Sequence, residues 1–303
     1  MVGVMSLTIS RAGGRSGAVG WAWLSLSLSL LVLSSGWGRA GAQDLSSVPL
    51  GWQPYYVGVD VAEWQASEPR RLHGVVMRID MKAEGVSFLA TPSNGDKPGE
   101  TDAQRTSAFL AEHGLQAAIN AAPFDVVHEQ AGMPQDVHGL LVSEGRKVSR
   151  AGQMPALLID RGNRVWIEEK LETVAAGVWN AVGGFAVILR DGRATGGGDQ
   201  KLHPRTAAGV SKDGRWLFWV VVDGRQFGYS GGVTTGELAT FFLHVGASEA
   251  INLDGGGTTT MVVAGSDGAP RIVNRPVHGG IPGRERFSGC HLGLRAKPLP
   301  AAP

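Results

Sequence analysis

The sequence contains a single cysteine, Cys290, among its 303 residues. One thiol excludes an intrachain disulfide framework and any zinc or iron–sulfur site built from several cysteines. The eight histidines include no H-x-x-x-H or H-E-x-x-H pair, and no Walker A pattern is present. The formal net charge is only +1, so the sequence also lacks the basic excess of a nucleic-acid-binding protein. We therefore expect no cofactor, no dedicated metal site and no nucleic-acid partner.

Glycine, in contrast, is abundant. The chain has 45 glycines, about twice the usual share of ~7%. They follow no G-X-Y period, which excludes collagen, and a hydrophobic content of 43% is ordinary for a packed protein. So many glycines in a folded chain indicate sharp turns and places where the backbone is closely approached by another group.

Residues 1–42 have the pattern of an export signal. Arg11 and Arg15 precede an apolar stretch at 21–33, and small residues then lead to Ala40-Gly41-Ala42. This pattern predicts cleavage after Ala42, and the apolar stretch is shorter than the ~20 residues of a membrane-spanning helix. Because no cysteine for lipid attachment lies near the cleavage site, we expect an exported protein, periplasmic or secreted, without a stable membrane anchor.

The remaining chain reads as one domain at 58–297, preceded by a loose lead segment at 43–57 and followed by a frayed tail at 298–303. Short strand-like runs fill the domain. Only two segments read as helices: Thr101–His113, and a second that begins with the capping box Thr234/Glu237 and ends at Gly246. The pattern predicts an α+β fold, a single β-rich domain with a mixed sheet and a few packed helices.

The segment AINLDGGGTTTMVV at 250–263 is the most informative in the chain. Asn252 and Asp254 come at the end of a short buried strand, and Gly255–Gly257 leave the backbone N–H groups uncovered, so that they can hold an anion. Thr258 adds a hydroxyl. The alternative is a tight turn in which the aspartate only caps the loop.

Other polar residues also stand at predicted strand ends, where functional sites commonly lie. They are Arg205 and Thr206, Asp223 with Gly224 and Arg225, Asn274, and the pair Glu285-Arg286. Asp223 and Asp254 offer the oxygen ligands that a hard cation such as calcium prefers, although no pattern requires one.

A serine-hydrolase triad is a competing interpretation. Gly228-Tyr229-Ser230-Gly231-Gly232 matches G-x-S-x-G, and Asp254 and His278 follow in the order of that enzyme class. However, the elbow serine should lie directly between a strand and a helix. Here the strand ends near Val222 and the helix begins at Thr234, so the spacing argues against the triad.

In combination, these motifs resemble the phosphodiester glycosidase family. AAINAAPF, HPRTAAGV, VVVDGRQ, the 232–263 segment with its LDGGG loop, and VNRP followed by RERF occur in the family's order and cover roughly 58–297. The resemblance implies an α+β domain with a β-rich core and hydrolysis of a sugar-1-phosphodiester at the anomeric bond.

The resemblance also implies site residues. The matching positions are Asn120, Arg205, Thr206, Asp223, Gly224, Arg225, Asn252, Asp254, Gly255, Gly256, Gly257, Thr258, Asn274, Glu285 and Arg286. Ala121 and Ala122 stand where the family has glycine, so the floor of the pocket is expected to differ. Thr258 replaces the common serine and keeps the hydroxyl.

The implied reaction assigns roles to these residues. The leaving phosphate is already an anion, so the site needs charge stabilisation more than acid catalysis. We expect Arg205, Arg225 and Arg286 to bind phosphate with the N–H groups of Gly255–Gly257. Asp254 and Glu285 are the expected base and nucleophile, in an order the sequence does not fix. Asn120, Asn252 and Asn274 are expected to hydrogen-bond sugar hydroxyls.

Two other functions fit the same residues. One is a non-catalytic envelope protein that binds a glycan or sugar phosphate in the same pocket. The other is a phosphodiesterase that cleaves the P–O bond instead of the anomeric C–O bond. The sequence does not specify the sugar, the group to which it is attached or the oligomeric state.

Overall fold

The alternation of apolar residues in the strand Leu72–Asp80 explains how the largest sheet is buried. Val75, Met77 and Ile79 point to one core, and Val76 points to a second core on the opposite face. A sheet covered on both faces requires apolar side chains on both sides of its central strands. The computed structural model describes residues 42–300. Apart from Ala42, the predicted signal peptide lies outside the described residues, as do residues 301–303 of the predicted tail.

With strands numbered in chain order, this sheet has eight strands. Their spatial order is β1 (Gln53–Tyr56), β2 (Val59–Ala66), β3 (Leu72–Asp80), β16 (Trp216–Val222), β15 (Arg205–Ser211), β17 (Ala247–Asn252), β13 (Ala186–Arg190) and β14 (Arg193–Ala194).

Two five-stranded sheets complete the architecture. One has the order β19 (Pro270–Ile272), β18 (Met261–Ala264), β6 (Ala117–Asn120), β22 (His291–Arg295) and β4 (Ser87–Ala90). The other has the order β11 (Val165–Glu168), β10 (Ala156–Asp160), β12 (Val178–Gly183), β8 (Leu141–Ser143) and β9 (Arg146–Ser149). The first core is shared among all three sheets. Two short ribbons pair β5 (Thr101–Asp102) with β7 (Pro134–Gln135) and β20 (Val277–His278) with β21 (Ile281–Pro282).

The β-rich fold is confirmed, but the expected mixed sheet is wrong. Every ladder between the named strands of the described residues is antiparallel. The crossover that contains the second helix joins β16 to β17, and β15 lies between these two strands. Parallel neighbours therefore do not arise from this connection.

The second helix, α2 (Thr235–Val245), is the element that the sequence predicts best. Thr234 and Glu237 form the capping box, and Gly246 ends the helix in the left-handed conformation with φ of 94°. Its apolar face, including Phe241 and Phe242, packs in the second core. Among the described residues, no helix is long and apolar enough to cross a membrane.

The first helix is shorter than predicted. Helix α1 spans Thr106–Glu112 with Arg105 as its N-cap residue. The expected first turn does not form at Thr101, because Thr101 and Asp102 are strand residues that pair with β7. Tertiary strand pairing therefore overrides the local capping signal.

The lead segment at 43–57 is ordered, not loose. Gln43, Leu45 and Val48 are buried, and Leu45 and Val48 belong to the second core. The Gln43 N–H donates to Glu237 Oε1 at 2.6 Å, and the segment continues into strand β1. Two buried apolar side chains and this hydrogen bond therefore attach the segment to helix α2 and the core beside it.

Candidate active site

The ends of three neighbouring strands create one cavity. Arg205 begins β15, Arg225 follows β16 and Asp254 follows β17, so the sheet register brings them to the same edge. The cavity has a volume of about 430 Å³, which is within the usual range for a small-molecule site. It is lined by seven of the residues singled out from the sequence: Arg205, Arg225, Asn252, Asp254, Gly255, Gly256 and Arg286.

The loop that carries Asp254 is held by its own backbone. The Asp254 N–H donates to Ala121 O at 2.8 Å, and the Gly256 N–H donates to Pro204 O at 2.9 Å. Residues Gly256–Thr258 then form a single 3₁₀ turn. Asp254 is thus fixed between the end of β6 and the residue before β15.

Asn120 lies beneath this loop and does not line the cavity. Its Nδ2 donates to Asp254 O at 2.7 Å, and its Oδ1 accepts from Thr206 Oγ1 at 2.6 Å and from the Thr260 N–H at 3.1 Å. Thr258 Oγ1 lies 3.2 Å from the same Nδ2. Both polar atoms of Asn120 are already hydrogen-bonded to protein. Asn120 and Thr206 therefore support the loop from beneath.

The glycines of the loop make room for arginines. A Cβ atom at Gly256 would lie 3.0 Å from Arg225 Nη1, and one at Gly257 would overlap the guanidinium group of Arg286. The expectation that the N–H groups of all three glycines face a ligand is wrong for Gly256, whose N–H is bonded to Pro204. The glycine run therefore allows two guanidinium groups to lie directly on the loop.

Asp254 has an unusually high pKa for an aspartate. Burial raises the pKa of its carboxyl group to about 6, although the Thr258 hydroxyl, the Gly255 N–H and the charges of Arg286 and Arg225 act in the opposite direction. Thr258 Oγ1 lies 2.8 Å from Asp254 Oδ2. A carboxylate with such a pKa is poised to exchange a proton near neutral pH.

Arg205 is the most buried of the three arginines. Its Nη2 donates to Lys201 O at 2.9 Å and to Asp199 O at 3.1 Å, and its Nε donates to Val233 O at 3.2 Å. The Asp199 carboxylate lies 3.4 Å from the same Nη2. These bonds fix the guanidinium plane at the wall of the cavity.

Two histidines that the phosphodiester glycosidase resemblance did not assign to the site hold the other arginines. Arg225 Nη2 lies 3.1 Å from His203 Nδ1, and Arg286 Nε donates to His278 Nδ1 at 3.0 Å. The sequence offers little to identify them, because each histidine is 8 to 22 residues from the arginine it contacts.

Each of these histidines also faces a carboxylate. His203 Nε2 lies 3.2 Å from Asp199 Oδ2, and His278 Nε2 lies 2.7 Å from Glu129 Oε1. The Glu129 side chain also contacts Arg284 at 2.7 Å. The two sides of the loop therefore carry the same order of groups: carboxylate, imidazole and guanidinium.

Glu285 lies outside the cavity, in contrast to its expected catalytic role. Its Oε1 accepts from the Ser107 N–H at 3.0 Å, and its Oε2 accepts from the Ser107 hydroxyl. Burial raises the pKa of this carboxyl group, and the bonds from Ser107 oppose the shift. Glu285 thus serves as the N-terminal cap of helix α1, a position that favours a negative side chain.

Asp223 and Asn274 form a structural junction near the site. Asn274 Nδ2 donates to Asp223 Oδ1 at 2.8 Å, the Arg275 N–H donates to both Asp223 carboxylate oxygens at 3.0 Å, and the Tyr229 hydroxyl donates to Oδ2 at 3.1 Å. Burial raises the pKa of Asp223 to about 6. Gly224 is packed against Pro204. None of these groups lines the cavity, in contrast to the expectation from the sequence.

The serine-hydrolase alternative is wrong. Ser230 is buried and its hydroxyl donates to Asp223 O at 2.6 Å. His278 is bonded to Glu129 and Arg286. The serine and the histidine therefore each have other partners, and Ser230 is not exposed as a nucleophile.

Two residues complete the wall of the cavity. Asn252 is buried, and its Oδ1 has no hydrogen-bond partner among the described residues. Buried polar atoms are normally satisfied, whereas this oxygen is an unpartnered acceptor within a residue of the cavity wall. Phe185 is about half exposed and presents an aromatic face. Residues 42–300 contain no group of three or more metal-ligating side chains.

Comparisons with known proteins concern the family and the fold. The sequence profile of the phosphodiester glycosidase family matches residues 113–289, whereas no curated protein sequence matches the chain. The fold is similar to the catalytic domain of zebrafish N-acetylglucosamine-1-phosphodiester alpha-N-acetylglucosaminidase, in a structure auto-inhibited by its pro-peptide. The TM-score is 0.61 with 18% identity, over 83% of this chain and 88% of that chain.

Two further solved structures share the fold. One is a presumed exported protein of Burkholderia pseudomallei, with a TM-score of 0.55, 17% identity and coverage of 74% of each chain. The other is a hypothetical protein of Synechocystis, with a TM-score of 0.53 and 12% identity over 83% of this chain and 68% of that chain. The profile match extends over more than half of the sequence. The chain therefore belongs to the phosphodiester glycosidase family.

Proposed function

We propose that this protein is an exported hydrolase that cleaves the anomeric bond of a sugar-1-phosphodiester, with a substrate similar to an N-acetylglucosamine-1-phosphodiester. The products are the free sugar and a phosphomonoester. One observation carries the proposal: three arginines surround a single cavity that also contains Asp254, whose pKa is raised to about 6. Such a site suits an anionic substrate and a reaction that needs one ionisable carboxylate.

The arginines supply the binding of the phosphate. A phosphodiester carries one negative charge, and guanidinium groups bind its oxygens through paired charge-assisted hydrogen bonds. Arg225 and Arg286 lie on the loop next to Asp254, and Arg205 is fixed in the wall. As the anomeric C–O bond breaks, its electron pair moves to the phosphate oxygen, and these arginines stabilise the additional charge.

Asp254 supplies the carboxylate of the reaction. In its ionised form it takes a proton from the water that attacks the anomeric carbon, or it bonds to that carbon itself before water releases the sugar. The configuration of the released sugar distinguishes the two routes. Asn252 in the cavity wall and the half-exposed ring of Phe185 are suited to a sugar hydroxyl and a sugar ring, respectively.

The proposal is tested with a panel of sugar-1-phosphodiesters and nucleotide sugars. The purified chain that begins at Gln43 is incubated with each compound, and the products are identified by mass spectrometry. We expect free sugar and phosphomonoester from at least one diester of an N-acetylated sugar. Saturable binding without any product would contradict the proposal and favour the glycan-binding alternative.

The proposed cellular location rests on the first 42 residues of the sequence. The basic, apolar and small-residue segments at 1–42 support export to the periplasm or the medium. A substrate at that location is a glycan or a sugar phosphodiester outside the cytoplasmic membrane. Mass spectrometry of the protein from its native host is expected to give Gln43 as the first residue.

A further inference from the structure

We propose that His203 and His278 are positioning residues that hold Arg225 and Arg286 on either side of Asp254, and that they do so only as neutral imidazoles. This inference rests on the proposed function, since it names the groups that prepare the phosphate site. Each histidine contacts one of the two arginines that lie on the glycine loop. Neither histidine is itself assigned to contact the substrate.

The chemistry of arginine fixes the tautomer of both rings. Guanidinium N–H groups only donate hydrogen bonds, so the Nδ1 atom that faces each arginine must be an unprotonated acceptor. The ring proton of a neutral imidazole then resides on Nε2. This is the atom that faces a carboxylate in each case, Asp199 Oδ2 at 3.2 Å and Glu129 Oε1 at 2.7 Å.

The contacts restrict side chains that are otherwise mobile. An arginine loses rotamer entropy when it is immobilised, and this loss weakens substrate binding unless the side chain is already fixed in the free protein. Arg286 is held at Nε, which leaves both of its terminal nitrogens for a ligand. Arg225 is exposed and His203 is its only hydrogen-bond partner among the described residues.

The charges around the two histidines differ. Asp199, Lys201, Arg205 and Arg225 face His203, and its pKa is lowered by burial and by the three cations. The side chains that face His278 are Glu129 and Arg286, and Glu129 is shared with Arg284.

Protonation of either imidazole is expected to break its contact with the arginine. A proton on Nδ1 turns the acceptor into a donor that faces the N–H groups of the arginine, so the contact is lost and two positive charges are brought together. The phosphate site should therefore loosen in acid even though the phosphodiester itself keeps its charge.

The test measures anion binding and needs no turnover. The probe is dimethyl phosphate, whose single charge is constant between about pH 5 and 8, and its affinity is followed by NMR titration in an Asp254→Asn background. That background removes the titration of Asp254 from the profile. We expect binding to weaken several-fold or more in acid, and the loss at His203 should come at a lower pH than for a free histidine, because its pKa is lowered.

Two substitutions separate the roles of the ring atoms. His278→Asn places an amide oxygen near the position of Nδ1 and cannot be protonated, so it should retain most of the affinity and reduce the acid loss. His278→Leu removes the acceptor and should weaken dimethyl phosphate binding by roughly 10- to 100-fold, the value of one hydrogen bond to a charged group. His203→Asn and His203→Leu should behave in the same way at Arg225.

A matched control uses a histidine outside the cavity. His138 pairs with Asp125 at 2.8 Å, and no arginine contact to it is found in residues 42–300. His138→Asn is therefore expected to leave both affinity and pH profile unchanged. Thermal unfolding of every variant checks the fold. Glu129→Gln keeps a side-chain oxygen that can accept from His278 Nε2 and removes only the negative charge. It provides a second test of the carboxylate–imidazole–guanidinium contacts.

The outcomes separate the inference from the proposed function. Binding by His278→Leu and His203→Leu that equals the parent at all pH values would overturn the inference, and so would an affinity that is independent of pH in the parent. Loss of binding in the leucine variants with retention in the asparagine variants supports it. Failure of every sugar-1-phosphodiester to react would contradict the proposed function and leave this result standing.

Discussion

At the scale of single residues, Asp254 is the central group of the site. We predict that Asp254→Asn lowers kcat by roughly 10²- to 10⁴-fold, the usual contribution of a catalytic carboxylate. The amide keeps the size of the side chain, so the Thr258 contact and the fold should survive. Steady-state kinetics on the best diester, together with a thermal unfolding curve, measures both quantities. A variant with unchanged kcat would remove Asp254 from the mechanism.

The pKa of Asp254 sets the expected pH dependence. Because this pKa is raised to about 6, the carboxylate is ionised above that pH and protonated below it. If the ionised form is the base or nucleophile, kcat/KM should fall as the pH drops below about 6, with a slope of at least one proton, because the loosening of the phosphate site in acid adds to the loss of the Asp254 carboxylate. A rate that instead rises toward acid would show that Asp254 acts as a general acid.

For Glu285 we predict an effect on stability and not on kcat. Its carboxylate caps helix α1 through Ser107, so Glu285→Gln should lower the free energy of unfolding by about 1 kcal/mol. Because Glu285 does not line the cavity, kcat should stay near the parent value. Denaturant unfolding and kinetics on the same sample test this, and a large loss of kcat with little loss of stability would restore a catalytic role.

These residues show what the sequence could and could not predict about the site. The sequence motifs singled out Asp254 and three arginines, and the structure brings these four side chains to one cavity. They also suggested Asn120, Asn274 and Asp223, because a motif shows residue type and order but not whether a side chain is already bonded to protein. The contacts of His203 and His278 with the arginines were missed for a related reason, since they depend on how separate loops fold together.

At the scale of structural elements, the glycine loop is the part that a single methyl group should disrupt. A Cβ atom at Gly257 would overlap the guanidinium group of Arg286, so Gly257→Ala should displace that arginine. We expect KM for a sugar-1-phosphodiester to rise by roughly 10-fold or more, in line with the loss of one charged hydrogen bond. Gly51→Ala is the control, because its Cβ would meet nothing within 4 Å. Equal KM values for the two variants would show that Arg286 does not bind the phosphate.

The loop after β16 suggests where the leaving group lies. Arg225 lines both the main cavity and a shallow hollow beside Phe227, whose side chain is fully exposed. A diester whose phosphate meets Arg225 can place its sugar in the cavity and its other ester arm in the hollow. Phe227→Ala should then raise KM about 3- to 10-fold for a diester with a bulky leaving group.

A diester with a small leaving group serves as the control for this prediction. For a methyl diester, which cannot reach Phe227, the same variant should have the KM of the parent. An equal rise for both diesters, or no rise for either, would place the leaving group elsewhere.

The elements themselves were predictable to different degrees. Helix α2 was predicted correctly because its capping box, apolar face and terminal glycine are all local signals. The start of α1 was not, because Thr101 pairs with a strand 34 residues away in the chain. Local patterns thus identify an element whose ends are set locally and fail where a distant partner sets the boundary.

At the scale of the whole molecule, the segment that follows the predicted cleavage site contributes to the fold. Leu45 is fully buried in the core beside helix α2. Leu45→Ala should lower the free energy of unfolding by about 2–4 kcal/mol through the cavity that it leaves. Denaturant unfolding is the measurement, and Leu299→Ala, at an exposed position, serves as the comparison. A loss below ~0.5 kcal/mol would mean that the segment is dispensable.

The global arrangement was only partly accessible from the sequence. The abundance of short strands indicated a β-rich domain, and the family resemblance extended this to roughly residues 58–297. The strand order of the eight-stranded sheet was not accessible, because it depends on which apolar faces find each other across long distances in sequence. That order is nevertheless what brings Arg205, Arg225 and Asp254 to one edge.

The central claim is cleavage of the anomeric C–O bond, and one measurement addresses it directly. A reactive sugar-1-phosphodiester is hydrolysed in water enriched in oxygen-18, and the two products are analysed by mass spectrometry. Cleavage of the anomeric bond places the heavy oxygen in the sugar and none in the phosphomonoester. Heavy oxygen in the phosphomonoester would mean cleavage of the P–O bond and would contradict the proposed function.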